Sequence, residues 1–154
     1  MQTIVTVLIP TQERHRRLLE ASAPDFSFHY SSPEAVTQEE LDHTDILIGN
    51  PPQGMLHGSP RLQWLQCNSA GVEPFLQPGV LHFKTLLTNA TGAYGLAISE
   101  HMLGMLLEIF KKLHLYRDAQ HQHQWQSLGQ VRSIEGSTVL VLGMGDIGGE
   151  FARR

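Results

Sequence analysis

The sequence predicts an α/β protein built around a parallel sheet, and three observations carry that prediction. Over about the first 90 residues, short apolar runs alternate with helix signals at the spacing of βα units. The strongest helical periodicity of the chain follows, from about Ala93 to Ala119. A five-residue apolar run, Thr138–Leu142, then enters a glycine-rich turn, and six of the 14 glycines fall in the last 26 residues. That density suits a phosphate-holding loop better than ordinary turns.

The elements follow in chain order. Thr3–Ile9 alternates β-branched with other apolar residues and reads as a first strand, and Thr11–Ala21 reads as a basic helix. Phe26–Tyr30 is a second short strand. Ser32, Pro33 and Glu34 resemble a helix start, continued by the acidic run Gln38–Asp42. Asp45–Gly49 has the apolar character of a buried parallel strand and is stopped by Asn50-Pro51-Pro52. Leu62–Cys67 and Leu81–Leu87 repeat that pattern. Thr88–Gly92 reads as a hinge. In the helix after it, Leu96, Leu103, Leu106, Leu107, Phe110 and Leu113 form one stripe, widened by Ile98, Met102, Met105 and Ile109. A helix apolar on most sides is expected to be covered on most sides.

Composition narrows the function. With 154 residues, 41% of them apolar, the chain can bury an ordinary core, which excludes collagen-like, low-complexity and disordered classes. Eleven Lys and Arg against 15 Asp and Glu leave a formal charge of −4. This removes the broad electropositive footprint that nucleic acids and anionic membrane surfaces select. Cys67 is the single cysteine, so a disulfide framework and a Cys-based metal site are excluded and a reducing compartment is expected. The N-terminus has no basic leader and breaks at Pro10. Glu100, His101 and Glu108 interrupt the longest apolar segment, whereas a membrane span needs roughly 20 predominantly apolar residues. A cytoplasmic protein is the expectation.

Gly143-Met144-Gly145-Asp146-Ile147-Gly148 is the sharpest motif. Gly143 permits a tight strand-to-helix turn, Gly145 lets backbone amides approach a pyrophosphate, and Gly148 lets helix and strand pack closely. The motif points to dinucleotide binding through Gly143, Gly145, Asp146, Ile147 and Gly148. The residue that separates NAD from NADP should lie about 20 positions further on, past Arg154, so the choice stays open.

Four stretches in order carry a resemblance: Trp64-Leu65-Gln66-Cys67-Asn68-Ser69-Ala70-Gly71-Val72-Glu73, Leu87–Gly92, Ala97–His101 and Ser137–Gly149. Together they resemble the D-isomer-specific 2-hydroxyacid dehydrogenases, the family of phosphoglycerate dehydrogenase and glyoxylate/hydroxypyruvate reductase. The resemblance implies a flavodoxin-like, parallel-sheet substrate domain over 1–92. Over 93–154 it implies a long crossing helix, a dimer loop and the first βα unit of a Rossmann coenzyme domain. Ser69, Ala70 and Gly71 would grip the substrate carboxylate, and Asn50 matches a position that touches substrate. The chemistry is sound, since a glycine-containing loop after a strand exposes amides to an anion; by itself the same loop also reads as a plain turn. Glu73 stands where the family more often has Asp.

The implied function is hydride transfer between NAD or NADP and a small D-2-hydroxy acid or 2-keto acid, in a homodimer. The family's catalytic Arg, Glu and His would lie beyond Arg154. No residue is therefore assigned a catalytic role, and the 154 residues alone are expected to be inactive. His101 is read as packing at the domain interface, and Cys67 as buried and inert. His114, His121 and His123 are read as part of a loop near Tyr116 and Trp125 through which family members pair, with no metal expected. A second reading is a catalytically silent dimerisation or carboxylate-binding module. A third, a free-standing flavodoxin-like signalling domain, leaves residues 93–154 without a purpose.

Overall fold

The computed structural model describes residues 2–154 and divides into two compact units, Met1–Thr91 and Gly92–Arg154. In the first unit five short strands form one sheet. They are β1 (Ile4–Val7), β2 (Ser27–Tyr30), β3 (Ile46–Ile48), β4 (Trp64–Gln66) and β5 (Leu86–Thr88), in the order β2-β1-β3-β4-β5. Every pairing is parallel. This is the order of the flavodoxin-like doubly wound sheet, in which ligands bind outside the carboxyl ends of the strands.

Register explains which residues form the core. Thr6, Leu47, Leu65 and Leu87 are in line across β1, β3, β4 and β5 and share one face of the sheet. Leu47 and Leu65 are fully buried there, within a cluster that includes Leu8, Val36, Leu41, Leu62, Cys67 and Phe75. Each such leucine contributes up to about 3 kcal/mol of transfer free energy. Thr6 is the polar member of this row and is satisfied locally. Thr44 donates its hydroxyl proton to the Glu40 carbonyl, so Thr6 must donate to Thr44 Oγ1, at 2.6 Å.

The first unit has α1 (Glu13–Ser22), the short α2 (Gln38–Asp42) and a single 3-10 turn, Glu73–Leu76. The helix expected to start at Ser32 does not form as one piece. Ser32 accepts from the amides of Ala35 and Val36 in a turn, Val36 is buried in the core, and the chain resets at Thr37. Thr37 accepts from the Glu40 amide at 3.2 Å while its own amide donates to Glu40 Oε2 at 2.7 Å, closing a capping box. That bond, with a second from the Thr37 hydroxyl, holds the Glu40 carboxyl below its ordinary pKa.

The second unit holds α3 (Gly95–Lys111), α4 (Leu113–His121) and α5 (Asp146–Arg153), with α3 and α5 packed together. Three sequence expectations are corrected here. The long helix over 93–119 is two helices, broken at Lys112, which is left-handed at φ 56°. A non-glycine residue pays roughly 1–2 kcal/mol for that conformation. The break lets Lys112 Nζ donate to the Leu128 carbonyl and Tyr116 Oη accept from the Leu128 amide, so the following loop is tied back to the helices. The apolar run 138–142 is not a strand: it carries no ladder, and Leu140 and Leu142 are almost fully exposed. A parallel strand needs a neighbouring strand for its amides and carbonyls, and the described residues of this unit include none. Leu96, Met102, Met105 and Ile109 of α3 are exposed as well, as is His101, so the stripe is not covered on most sides. Among the described residues no helix is long and apolar enough to cross a membrane.

Candidate functional site

In the first unit the loops after β3, β4 and β5 meet at the carboxyl edge of the sheet. Asn50, two residues past β3, spans to the loop after β4: its Nδ2 donates to Ser69 Oγ at 3.0 Å and its Oδ1 accepts from the Asn68 amide at 3.1 Å. Asn89, just past β5, holds the same loop from the other side, donating from Nδ2 to the Ala70 carbonyl at 2.8 Å. Ser69 Oγ donates to the Gly71 carbonyl at 2.7 Å, and the Ser69 carbonyl accepts from the Ala90 amide at 3.0 Å. The carbonyls of Ser69, Ala70 and Gly71 are thus all occupied. The amides of Ser69, Ala70, Gly71 and Val72 donate to no group among the described residues. A run of unspent donors beside satisfied acceptors has the hydrogen-bonding character that suits a carboxylate.

A polar chain supports this loop from below. Trp64 Nε1 donates to Thr88 Oγ1 at 2.7 Å, Thr88 donates to Gln66 Oε1 at 2.6 Å, and Gln66 Nε2 donates to the Cys67 and Asn89 carbonyls. Trp64, Gln66 and Thr88 share the sheet face opposite Leu65. The sequence pattern places Trp64 and Gln66 in the strand run Leu62–Cys67 and reads Thr88 and Asn89 as part of a hinge, without joining them. The period-two spacing of Trp64 and Gln66 is the signal that could have placed them on one face. Cys67 is fully buried, and burial pushes its thiol pKa up, keeping it neutral.

In the second unit the turn 143–148 has the geometry that its glycines require. Gly143 has φ 95°, and a Cβ on Gly148 would stand 1.9 Å from the Gly143 carbonyl oxygen and 3.3 Å from Val141 Cγ1. A Cβ on Gly145 would stand in open space, and no side chain caps the first turn of α5. The exposed first-turn amides, with Ile147 half-buried behind them, fit an anionic pyrophosphate. Asp146, the acidic residue of the turn, directs its Oδ2 to the Gly92 amide at 3.2 Å. Its Oδ1 lies 2.7 Å from where a Cβ on Gly95 would be, so these two positions constrain each other.

Residues 103–154 match the family model described as D-isomer specific 2-hydroxyacid dehydrogenase, NAD binding domain. A D-isomer specific 2-hydroxyacid dehydrogenase family protein from Aeromonas salmonicida has a solved structure that matches 99% of this chain at a TM-score of 0.83 and 29% identity. The chain is thus similar to D-isomer specific 2-hydroxyacid dehydrogenases in the matched segment and in its fold. It spans 49% of the length of that Aeromonas chain. A D-lactate dehydrogenase from Aquifex aeolicus, solved with NAD and lactic acid, shares the fold at a TM-score of 0.75 and 18% identity, matching 98% of this chain and 47% of its own. An uncharacterized protein of Streptomyces coelicolor is 32% identical over 111 residues, which are 71% of this chain and 38% of that protein. The NAD-binding description of the matched segment agrees with the expected NAD or NADP cofactor.

Proposed function

We propose that this chain belongs to the D-isomer specific 2-hydroxyacid dehydrogenase family and binds the carboxylate of a small D-2-hydroxy acid or 2-keto acid in the first unit and the pyrophosphate of NAD or NADP in the second. The observation that carries this reading is the loop 69–72, whose carbonyls are spent on Ser69 Oγ, Asn89 and Ala90 while its amides stay unspent. Ser69, Ala70 and Gly71 bind the carboxylate through those amides, and Asn50 holds the loop in shape. Gly143, Gly145, Asp146, Ile147 and Gly148 form the cofactor turn, with Asp146 fixing its flank and the amides after Gly145 facing the anion. When bound, the dinucleotide supplies the hydride chemistry at C2 of the acid. We assign none of the 154 residues the family's catalytic Arg, Glu or His, so the chain by itself binds and orients without turnover. We further infer a domain division at 92/93 and a homodimer formed through the loop near Tyr116 and Trp125; Trp125 is fully exposed. A reducing, cytoplasmic setting suits the single buried Cys67.

The test is calorimetric titration of the chain with glyoxylate, alongside a turnover assay with NADH or NADPH and glyoxylate. Binding of glyoxylate that is weakened in Asn50→Ala, with no loss of reduced-nicotinamide absorbance, is the expected result. Absence of glyoxylate binding overturns the carboxylate reading, and turnover by the 154 residues overturns the assignment of no catalytic residue.

A further inference from the structure

We propose that Asn89 is a positioning residue for the carboxylate loop: by holding the Ala70 carbonyl it aims the Gly71 amide at the bound anion. The inference rests on the reading of loop 69–72 as the carboxylate grip and adds what gives that grip its direction.

A trans peptide is planar, with its C=O and the N–H that follows pointing in opposite directions, and no cis bond occurs among the described residues. Whatever holds the carbonyl of one residue therefore sets the heading of the next residue's amide. Asn89 Nδ2 donates to the Ala70 carbonyl at 2.8 Å, and the Ala90 amide donates to the Ser69 carbonyl at 3.0 Å. Two successive carbonyls of the loop thus turn toward residues 89 and 90, and the amides of Ala70 and Gly71 turn away from them together. Successive amides directed to one side are the arrangement that binds an anion. The Ala70 amide is aimed by a main-chain bond, which substitution leaves in place. The Gly71 amide is aimed by a side chain, and that side chain can be changed.

Asn89 is itself held from both ends. Its Oδ1 accepts from the Thr91 amide at 3.3 Å, which leaves Nδ2 as the atom that faces Ala70. Its carbonyl accepts from Gln66 Nε2 at 3.1 Å. The polarity of that bond starts at Trp64, whose indole N–H can only donate. Thr88 Oγ1 accepts from it and points its own hydrogen at Gln66 Oε1, so Gln66 is left to donate from Nε2. An aspartate at position 89 would keep an acceptor for Thr91 but would set a second oxygen against the Ala70 carbonyl. Asparagine satisfies both neighbours.

Asn89 is exposed, so its substitution leaves the sheet standing. A hydrogen bond between neutral groups favours its own geometry by about twofold to tenfold, and that is the scale of the expected effect.

The experiment is an amide-resolved ¹H–¹⁵N titration of the 154-residue chain, and of its Asn89→Ala and Asn89→Asp variants, with glyoxylate at low and high salt. In Asn89→Ala the affinity should fall by about twofold to tenfold, and the Gly71 amide should lose most of its glyoxylate shift while the Ala70 amide keeps its own. Asn89→Asp should bind more weakly still. High salt should recover only the part that comes from the added charge, leaving the loss at Gly71. Unchanged affinity in both variants overturns the inference, as does a loss of shift shared equally by the Ala70 and Gly71 amides; either result leaves the grip itself intact. If no loop amide of the wild-type chain shifts, the carboxylate reading fails and the inference falls with it.

Discussion

The loop at 69–72 and the turn at 143–148 leave backbone amides exposed by different means. The first is held by side chains. Asn50 and Asn89 reach in from neighbouring strand ends and occupy the loop's acceptors, on a sheet whose five strands are all paired. The second is held by the absence of side chains, since Gly148 packs where any Cβ would strike the Gly143 carbonyl. The strand expected before it has no partner. A side-chain-held loop depends on a completed sheet, whereas a glycine turn keeps its shape from local sterics and the packing of α5 on α3.

That contrast can be broken most severely at Gly148. With only 1.9 Å available to a Cβ, Gly148→Ala should destabilise the second unit by about 3 kcal/mol, the upper range for overpacking. Thermal unfolding followed by helical circular dichroism would show the drop, and an unchanged midpoint would remove the steric basis of the turn. In the first unit, Asn50→Ala removes the bond to Ser69 and strips the Asn68 amide of the Asn50 acceptor. A loss of about 1–2 kcal/mol follows from an unmade hydrogen bond at a half-buried site, read by denaturant unfolding. The smallest effect is a coupling. Gly95→Ala alone should cost about 1 kcal/mol through its clash with Asp146, and much of that cost should vanish in the Asp146→Ala background. Additive costs in the double mutant would show that the two positions do not meet.

Much of the fold was legible because strand signals were local. Ile4 to Val7 and Ile46 to Ile48 are short β-branched and apolar runs followed by Pro10 and by Gly49 and Pro51, and each lies in the parallel sheet. The helix start at Thr37 was missed because Pro33 mimics a first helical residue, while burial of Val36 decided the outcome. The break at Lys112 was missed because the apolar period runs through it unaltered, and the bonds to Leu128 that accompany it are 16 and 12 residues away. Residues 138–142 have strand character, but a strand is a property of a pair. The candidate loop was visible as Ser69-Ala70-Gly71, whereas Asn89 and the Trp64–Thr88–Gln66 chain become visible only once β4 and β5 are aligned.

The most direct test is an amide-resolved ¹H–¹⁵N titration of the chain with glyoxylate. Shifts centred on Ser69, Ala70, Gly71 and Val72, lost in Asn50→Ala while the spectrum otherwise stays folded, are the predicted result. A folded chain whose 69–72 amides do not move at saturating glyoxylate would contradict the account.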